Sequence, residues 1–373
     1  MKIALLSFLI LFSFVGLPLP QKKWLFIYYM PYDNNLSNEG EVILNEIKAS
    51  EFSSDIAISF QCDFDDSTGM TRYYFTSDTT ISEKINEENS SDPKVYKNYL
   101  KWVESFCEFE KSVLIFLNHG GALNEIGLDE YPEHQYQKTE NLKQIIQSFN
   151  NRNAVLPELI FFQVCAKGVL EPLYEMRNCS RYTLCSQNIL GAPNYYYKNL
   201  IGILKSGDDL TGEELAASIA ISDRKDMFYS YTCTDNMKFE PAIVCLNEFI
   251  SYQLRTCNPA IHTDSILQIR YYGETHWDLK SFIDNYSCET DSSLYYRNKL
   301  IKSLEELIRF HYINPDSDLM KAYCGMSIYA VQNNNAEFPF QKMEIYHDMD
   351  LKKIHNSIKT TGEYFQNDTL NFR

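Results

Sequence analysis

His119 and Cys165 are the two residues whose types and surroundings indicate covalent chemistry. Each follows an apolar run, VLIFL before Asn118-His119-Gly120-Gly121 and LIFFQV before Cys165. A thiol is a strong nucleophile only as a thiolate, and a nearby imidazole can lower the thiol pKa and later protonate a leaving amine. A glycine after the histidine lets a backbone N–H approach a developing oxyanion, because no Cβ intervenes. We therefore predict a Cys–His dyad, with the N–H groups of Gly120 and Cys165 forming the oxyanion hole.

This dyad can form only if the two apolar runs are neighbouring strands. From about Trp24 onward, strand patterns alternate with amphipathic helix patterns, which is typical of a mostly parallel sheet covered on both faces. Ligands collect at the carboxyl ends of strands in such sheets, where both residues would lie. The pattern predicts strands at 24–30, 55–60, 70–75, 113–117, 159–164, 182–186 and 325–331, the last rejoining the main sheet. It predicts helices at 93–107, around 142–149, and at 168–177, 241–254 and 294–308, with a capping-box start at Thr211.

Composition excludes some classes of partner. The chain has 373 residues, with 34 Lys+Arg against 50 Asp+Glu and a net charge of -16. This charge repels phosphate backbones, so nucleic acid is not an expected partner. The surplus of carboxylates fits surface solubility, hard-cation sites or attraction toward basic peptides. The length allows one large domain or two smaller ones.

The first residues have the pattern of an export signal. Met1-Lys2 precedes an apolar run over 3–17, which is shorter than the ~20 residues of a spanning helix. We predict a signal peptide at 1–20, a large α/β domain with helical insertions at 21–331 and a C-terminal extension at 332–373. No second apolar span follows, so the mature chain is expected to lack a membrane span and to be secreted, periplasmic or on the cell surface. The sequence leaves the oligomeric state open.

The ten cysteines do not have the density of a disulfide scaffold. No Cys-x-x-Cys or paired Cys/His spacing indicates zinc. If Cys165 is a working thiol, an odd number of cysteines remains, so at least one more is unpaired or bonded to another chain.

Several segments together resemble the clostripain family, within the wider caspase-like group of cysteine peptidases. These segments are the run from Trp24 to Met30 with Asp33-Asn34-Asn35-Leu36, the histidine motif Asn118-His119-Gly120-Gly121, Cys165 with Glu171, Tyr174-Glu175 and Cys185-Ser186, and later Trp277-Asp278-Leu279 and Gly325-Met326-Ser327-Ile328-Tyr329. They occur in order and at suitable spacing from about residue 23 to residue 331.

The resemblance implies a caspase-like three-layer α/β/α sandwich with helical C-terminal additions. It also implies hydrolysis of peptide bonds through an acyl-enzyme, with Cys165 as nucleophile, His119 as general acid and no metal in the chemistry. Some members of the family need calcium, so Ca²⁺ enters as an optional cofactor. Relatives are often cut in a loop during maturation, for which 122–139 is a candidate, with Lys138 its only Lys or Arg; an uncut surface loop is the alternative.

Three positions depart from the pattern of relatives that cleave after Arg or Lys. Those relatives usually have an aspartate two residues before the nucleophile, where this chain has Gln163. An amide offers hydrogen bonds but no charge to pair with a guanidinium. After the next strand, Ser186 and Gln187 stand where a second acid is expected. We assign Gln163, Ser186 and Gln187 to substrate binding, with basic specificity in doubt; Asp208 and Asp209 could compensate only if the chain returns them to the pocket.

Two other functions stay open from the sequence. The chain could be a catalytically inactive protease-like binding protein that presents an acidic cleft to a partner, although both dyad residues and Gly120 are retained. A cysteine-dependent transpeptidase uses the same acyl-thioester chemistry with an amine in place of water.

Overall fold

The computed structural model describes residues 18–64, 69–205, 209–256, 265–330 and 343–349. A sheet of nine strands crosses the molecule in the order β13-β10-β9-β8-β5-β1-β2-β3-β4. Its five central strands are parallel neighbours. They are β1 (Gln21–Tyr32), β2 (Ile56–Phe64), β5 (Glu108–Leu117), β8 (Leu159–Gln163) and β9 (Tyr182–Cys185). The flanking strands pair antiparallel and are β3 (Thr71–Phe75), β4 (Thr80–Lys84), β10 (Ser230–Asp235) and β13 (Ile308–Ile313).

Helices cover both faces of this sheet, because its central strands bury side chains on each face. The helices are α1 (Ser37–Lys48), α2 (Pro93–Glu104), α3 (Thr139–Asn153), α4 (Leu170–Met176), α5 (Tyr197–Leu204), α6 (Gly212–Ser222), α7 (Phe239–Thr256), α8 (Leu279–Tyr286), α9 (Asp291–Leu307) and α10 (Glu344–Asp348). Alternate residues of β1 enter two separate apolar cores, Leu25 with α2 and α3 residues and Phe26 with α5 and α6 residues. The three-layer α/β/α architecture predicted from the sequence is confirmed.

Local sequence signals account for several helix starts. The Asp92 side chain accepts a hydrogen bond from the Lys94 N–H at 2.8 Å, and Pro93 occupies the first turn of α2. Thr211 and Glu214 form the predicted capping box at the start of α6. These contacts satisfy backbone N–H groups that the first turn of a helix leaves without partners.

The expectation that segment 325–331 rejoins the main sheet is wrong. Strand β14 (Ser327–Tyr329) instead joins β11 (Gln268–Tyr271) and β12 (Glu274–Asp278) in a separate three-stranded sheet. An isolated bridge between Val169 and Ser327, and a hydrogen bond from the Ser327 N–H to the Gly168 carbonyl at 2.8 Å, connect β14 to the segment after Cys165. A short apolar run has no feature that specifies its pairing partner, and here β12, a strand that the sequence did not predict, takes that place.

A further hairpin replaces the loop expected at 122–139. Strands β6 (Glu125–Asp129) and β7 (Gln135–Lys138) form an antiparallel pair directly after the histidine segment. Lys138 pairs with Glu125 in this hairpin, and their side chains form an ion pair at 2.5 Å. The candidate cut site is therefore part of a hydrogen-bonded strand.

The described C-terminal helix packs against the core. Lys143 of α3 forms ion pairs with Glu175 of α4, at 2.8 Å, and with Glu344 of α10. Glu344 also pairs with Arg177 at 2.7 Å. These contacts join α10 to the layer that contains α3 and α4. The predicted signal segment falls almost entirely outside the described residues, as does most of the predicted extension at 332–373.

Eight cysteines are free and Cys288 is disulfide-bonded within the part of the chain that the structure describes. Cys165 is among the free ones, so its thiol is available for chemistry. Among the described residues, no helix combines the length and the apolar character needed to cross a membrane.

Candidate active site

The ends of β5 and β8 bring His119 and Cys165 to the same edge of the sheet. Leu117 of β5 pairs in register with Gln163 of β8, and the strands are parallel neighbours. His119 and Cys165 each follow two residues later, so the two chains leave the sheet side by side, at strand spacing of roughly 4.8 Å. The structure therefore brings together the two residues that the sequence selected.

Gly120 lies against the backbone of Cys165. A Cβ at Gly120 would overlap the carbonyl oxygen of Cys165. Gly121 has φ +62, and a Cβ there would be 2.7 Å from the Glu125 side chain. Glycine at 120 lets the histidine segment approach the backbone of Cys165, and glycine at 121 lets the chain turn into the β6–β7 hairpin. Gly120 and Cys165, the proposed oxyanion-hole residues, are thus adjacent.

Asn35 contacts the imidazole of His119. The His119 Nε2 atom lies 2.7 Å from the Asn35 Oδ1 atom, at the start of α1. Burial lowers the pKa of His119, with the Glu130 charge acting in the opposite direction. The neutral imidazole is therefore favoured near neutral pH, and Asn35 fixes its ring orientation. The sequence contained Asn35 within its Asp-Asn-x-Leu segment but gave no sign of this contact.

Two neighbouring asparagines hold the strand ends that carry these groups. The Asn34 amide donates to the Asn118 side-chain oxygen at 3.2 Å and to the Leu128 carbonyl at 2.9 Å. Asn118 in turn donates to the Pro31 and Leu128 carbonyls and accepts from the His119 N–H at 2.5 Å. These buried hydrogen bonds tie β1, β5 and β6 together beneath His119.

The Cys165 thiol has polar contacts on several sides. Its sulfur lies 3.4 Å from both the N–H and the carbonyl of Leu190. Burial raises the pKa of Cys165, whereas the Leu190 N–H, the Tyr271 hydroxyl and the charge of Lys167 each lower it. Because burial also lowers the pKa of His119, the uncharged thiol and imidazole are the favoured pair before substrate binds.

Tyr271 is a site residue that the sequence analysis missed. Its hydroxyl accepts a hydrogen bond from the Gly120 N–H at 3.2 Å and also hydrogen-bonds the Cys165 side chain. This is the position between nucleophile and oxyanion donor where a reacting carbonyl oxygen would lie. Tyr271 ends β11 at a two-residue turn in which Tyr272 and Gly273 have φ of 52 and 75. No local signal relates this turn to Gly120.

Gln163 lies in a closed network of polar side chains. Its amide nitrogen donates to Asn194 at 2.6 Å and to the Tyr197 hydroxyl at 3.0 Å, and its oxygen accepts from Tyr196 at 2.8 Å. Asn194 then donates to Asp223 at 2.7 Å. Gln163 is 4% exposed. Both its amide nitrogen and its oxygen therefore hydrogen-bond protein groups in place of water.

Ser186 and Gln187 are also buried. Ser186 accepts a hydrogen bond from the Asn188 N–H at 3.1 Å. The Gln187 amide donates to Asp278 at 3.1 Å and to Ser327 at 2.9 Å, and its oxygen accepts from the Gly325 N–H at 3.0 Å. Through these contacts Gln187 joins the three-stranded sheet, and with it Tyr271, to the main sheet.

Asp209 does not return to this edge. It pairs with Lys111 at 2.6 Å, and Lys111 lies six residues before Leu117 in β5, roughly 20 Å away at strand rise. The condition under which Asp209 could restore a charge near Gln163 is therefore not met, since Asp209 lies at the opposite end of the strands. Asp208 lies outside the described residues.

Side chains that commonly bind metal ions do not cluster in the described residues. Within the ranges that the structure describes, no group of three or more His, Cys, Asp or Glu side chains is arranged to hold one. Asp63 and Asp129 are buried together, with Ser90 donating to each at 2.5 Å. Burial raises the pKa of Asp63 to about 9 and of Asp129 to about 7. Two carboxyls alone would leave most of the six to eight oxygen ligands of calcium to other groups.

Fold and site together define a mostly parallel α/β/α sandwich in which the segments that follow the adjacent strands β5 and β8 carry a histidine and a cysteine. The model of the clostripain family matches residues 28–367, and the chain belongs to this family. It is 22% identical over 335 residues to clostripain of Hathewaya histolytica. The match covers 74% of this chain, and this chain spans 63% of the length of that protein.

Two solved structures share the fold. A secreted C11 cysteine protease from Bacteroides thetaiotaomicron, in complex with an irreversible peptide inhibitor, aligns with a TM-score of 0.69 at 17% identity, covering 89% of this chain and 99% of that one. An inactive zymogen C11 protease from Parabacteroides distasonis aligns with a TM-score of 0.64 at 15% identity, covering 90% and 99% of the two chains.

Proposed function

We propose that this protein is a secreted cysteine endopeptidase that hydrolyses peptide bonds through Cys165 and His119. The observation that supports this most is the adjacency of three groups: a free thiol at the end of β8, an imidazole at the end of β5, and the Gly120 N–H beside Cys165. Membership of the clostripain family supports the same activity.

The reaction uses these groups in two steps. The Cys165 thiol passes its proton to His119 and the sulfur attacks the substrate carbonyl, so that the negative charge develops on the carbonyl oxygen. The N–H groups of Gly120 and Cys165 donate to that oxygen. His119 then protonates the leaving amine as the C–N bond breaks. Water, deprotonated by His119, hydrolyses the resulting thioester and restores the thiol.

Substrate must displace the Tyr271 hydroxyl before this chemistry begins. That hydroxyl hydrogen-bonds the Gly120 N–H, the group that has to receive the carbonyl oxygen. Either the β11–β12 turn moves or the tyrosine side chain rotates. The free protein is thus held in a form whose oxyanion hole is filled by its own residue.

The preferred substrate residue before the scissile bond is proposed to be uncharged. Gln163 provides no negative charge, and its amide already hydrogen-bonds Asn194 and two tyrosine hydroxyls. A guanidinium buried there would lack a carboxylate partner, which is costly. Ser186 and Gln187 are proposed to shape the same region by holding neighbouring segments in place, and neither residue adds a charge.

Export is proposed from the charged start and apolar run over 1–17, and from the family relative described as secreted. Among the described residues, no three or more His, Cys, Asp or Glu side chains form a group that could hold a metal ion, and we assign calcium no step.

The test profiles the full chain and Cys165→Ala on a peptide library randomised before the scissile bond. We expect cleavage after uncharged residues by the wild type and none by Cys165→Ala. Cys245→Ala, which removes another free and partly exposed thiol, is the matched control and should cleave like the wild type. Chelator and added calcium form separate arms.

Failure of the wild type to cleave, also after limited proteolysis, would overturn the proposal in favour of a protease-like binding protein. Transfer of the acyl group to an added amine in preference to water would indicate a transpeptidase.

A further inference from the structure

The turn after Cys165 has an uncommon backbone conformation. Ala166 has φ 52, a left-handed conformation that costs an alanine about 1 kcal/mol or more. Hydrogen bonds from the Ala166 N–H to the Asn188 carbonyl at 2.9 Å and from the Gly168 N–H to the Ser186 carbonyl at 2.7 Å hold it. This turn directs the next side chain, that of Lys167, away from its own segment and toward the histidine segment.

Lys167 is a buried lysine that binds backbone carbonyls. It is 2% exposed, and its ammonium donates to the Ala122 carbonyl at 2.6 Å and to the Leu123 carbonyl at 3.4 Å. Ala122 and Leu123 directly follow His119-Gly120-Gly121 in the chain. One side chain from the nucleophile turn therefore fixes the segment that supplies the imidazole and an oxyanion donor.

The charge of Lys167 has no contacting carboxylate among the ion pairs of the described residues. Burial lowers its pKa to about 7, while Glu274, Glu125 and Cys165 act in the opposite direction. A negative charge nearby stabilises the protonated form of a buried amine. In the same way, a protonated Lys167 stabilises the thiolate form of Cys165.

We propose that Lys167 is a positioning residue for the Cys165–His119 pair: it clamps the histidine segment against the nucleophile turn and stabilises the Cys165 thiolate by its charge. The catalytic part of this proposal rests on the proposed peptidase function. The contacts of Lys167 with the histidine segment do not depend on peptide cleavage. A methionine fills a similar volume without charge or donors, so the core would not need a lysine here for packing.

Other ionisable groups also face Lys167 and act on its titration. Glu125 and Lys138 come from the β6–β7 hairpin, and Glu274 and His276 come from β12. His276 contacts Glu274 at 3.2 Å. A pH profile of the wild type therefore reports the whole group, and only the difference between variants isolates Lys167.

The experiment compares the full-length wild type with Lys167→Met and Lys143→Met. Lys143 is the matched control, since it is also buried but pairs with Glu175 and Glu344. Three quantities are measured: the pH midpoint of Cys165 alkylation by iodoacetamide, hydrogen exchange over residues 118–123, and kcat and KM on a cleaved peptide.

For Lys167→Met we expect an alkylation midpoint raised by roughly 0.5 to 1 pH unit and at least about tenfold faster exchange at 118–123. We expect kcat to fall by about 10- to 100-fold, with KM within about twofold. Lys143→Met should lower the Tm but leave the midpoint and the exchange at 118–123 at wild-type values.

If Lys167→Met does not fold, Lys167→Gln replaces it, because the amide keeps N–H donors without the charge. It should raise the alkylation midpoint while retaining more exchange protection than methionine would. A wild-type midpoint together with wild-type protection at 118–123, in whichever variant folds, overturns the proposal. The alkylation and exchange results stand even if the wild type cleaves no peptide, so failure of the peptidase proposal is distinguishable.

Discussion

Two buried lysines of this protein have opposite surroundings. Lys143 lies between Glu175 and Glu344, where α3, α4 and α10 meet, and its positive charge is matched by carboxylates. Lys167 lies at the active-site edge and donates to two carbonyls. The charges at the helix junction compensate one another within the folded protein. The charge of Lys167 has no carboxylate in contact among the described ion pairs, and we propose that the Cys165 thiolate balances it during the reaction.

The largest expected effect tests the active-site side of this comparison. His119→Ala removes the proposed proton acceptor and general acid, so kcat/KM should fall by roughly 10³- to 10⁴-fold. The Tm should change little, because the half-buried ring hydrogen-bonds only Asn35 within the part of the chain that the structure describes. Fluorogenic peptide kinetics and a thermal melt measure the two. A fall of less than tenfold would contradict the dyad.

The next largest effect tests the helix junction. Lys143→Met leaves the buried Glu175 carboxylate without its ammonium partner, and the free energy of unfolding should fall by about 3 kcal/mol. Denaturant unfolding measures the loss. Peptide cleavage at a temperature well below the transition should remain at the wild-type rate. A large loss of kcat in the still-folded variant would break the distinction between the two lysines.

The two buried carboxyls Asp63 and Asp129 extend the comparison of the two lysines to acidic groups. Burial raises the pKa of Asp63 to about 9 and of Asp129 to about 7, from ordinary values of 3.8. Both groups bind protons more tightly when folded, so their stability contribution is full below about pH 4 and is lost as pH rises toward 7 and then 9.

The free energy of unfolding should therefore fall by of order 1 to 3 kcal/mol between pH 5 and pH 9. Asp129→Asn, which keeps an acceptor oxygen for the Ser90 N–H, should flatten the part of the slope below pH 7. Urea unfolding at a series of pH values measures the slope. An equally steep slope in Asp129→Asn would show that other groups cause it.

A smaller effect separates orientation of the imidazole from its presence. Asn35→Ala removes the side-chain oxygen 2.7 Å from the His119 Nε2 atom. A hydrogen bond of about 1 kcal/mol predicts a roughly fivefold fall in kcat, with a changed pH profile and little change in KM. Asn35→Asp should restore orientation and raise the His119 pKa, which the acid limb of the profile would report. Equal profiles for all three proteins would exclude this role.

The smallest effect is expected at Tyr271 and has the opposite sign. Tyr271→Phe removes the hydroxyl that accepts from the Gly120 N–H, so substrate no longer has to displace it. We expect kcat/KM to rise about two- to fivefold. A fall in kcat instead would mean that the hydroxyl stays in place and donates to the oxyanion.

Prediction from sequence succeeded where the signal was local. The apolar runs before His119 and Cys165 are strands because β-branched and aromatic residues fill them, and the parallel pairing of β5 with β8 follows from the helix α3 that connects them. Edge strands were missed. In β13 the six residues Ile308–Ile313 are intermediate or exposed in burial, so they lack the alternation that marks a half-buried strand.

The sequence by itself determined the chemical groups and the edge of the sheet where they meet, because hydrophobic periodicity fixes which chain segments end there. The tertiary structure alone decided what surrounds them. Tyr271 reaches the Gly120 N–H across 151 residues, and Gln163 finds Asn194 across 31. Lys167 reaches the Ala122 and Leu123 carbonyls from the turn in which Ala166 has a left-handed conformation. Contacts between distant segments depend on packing geometry, which no residue pattern within one segment encodes.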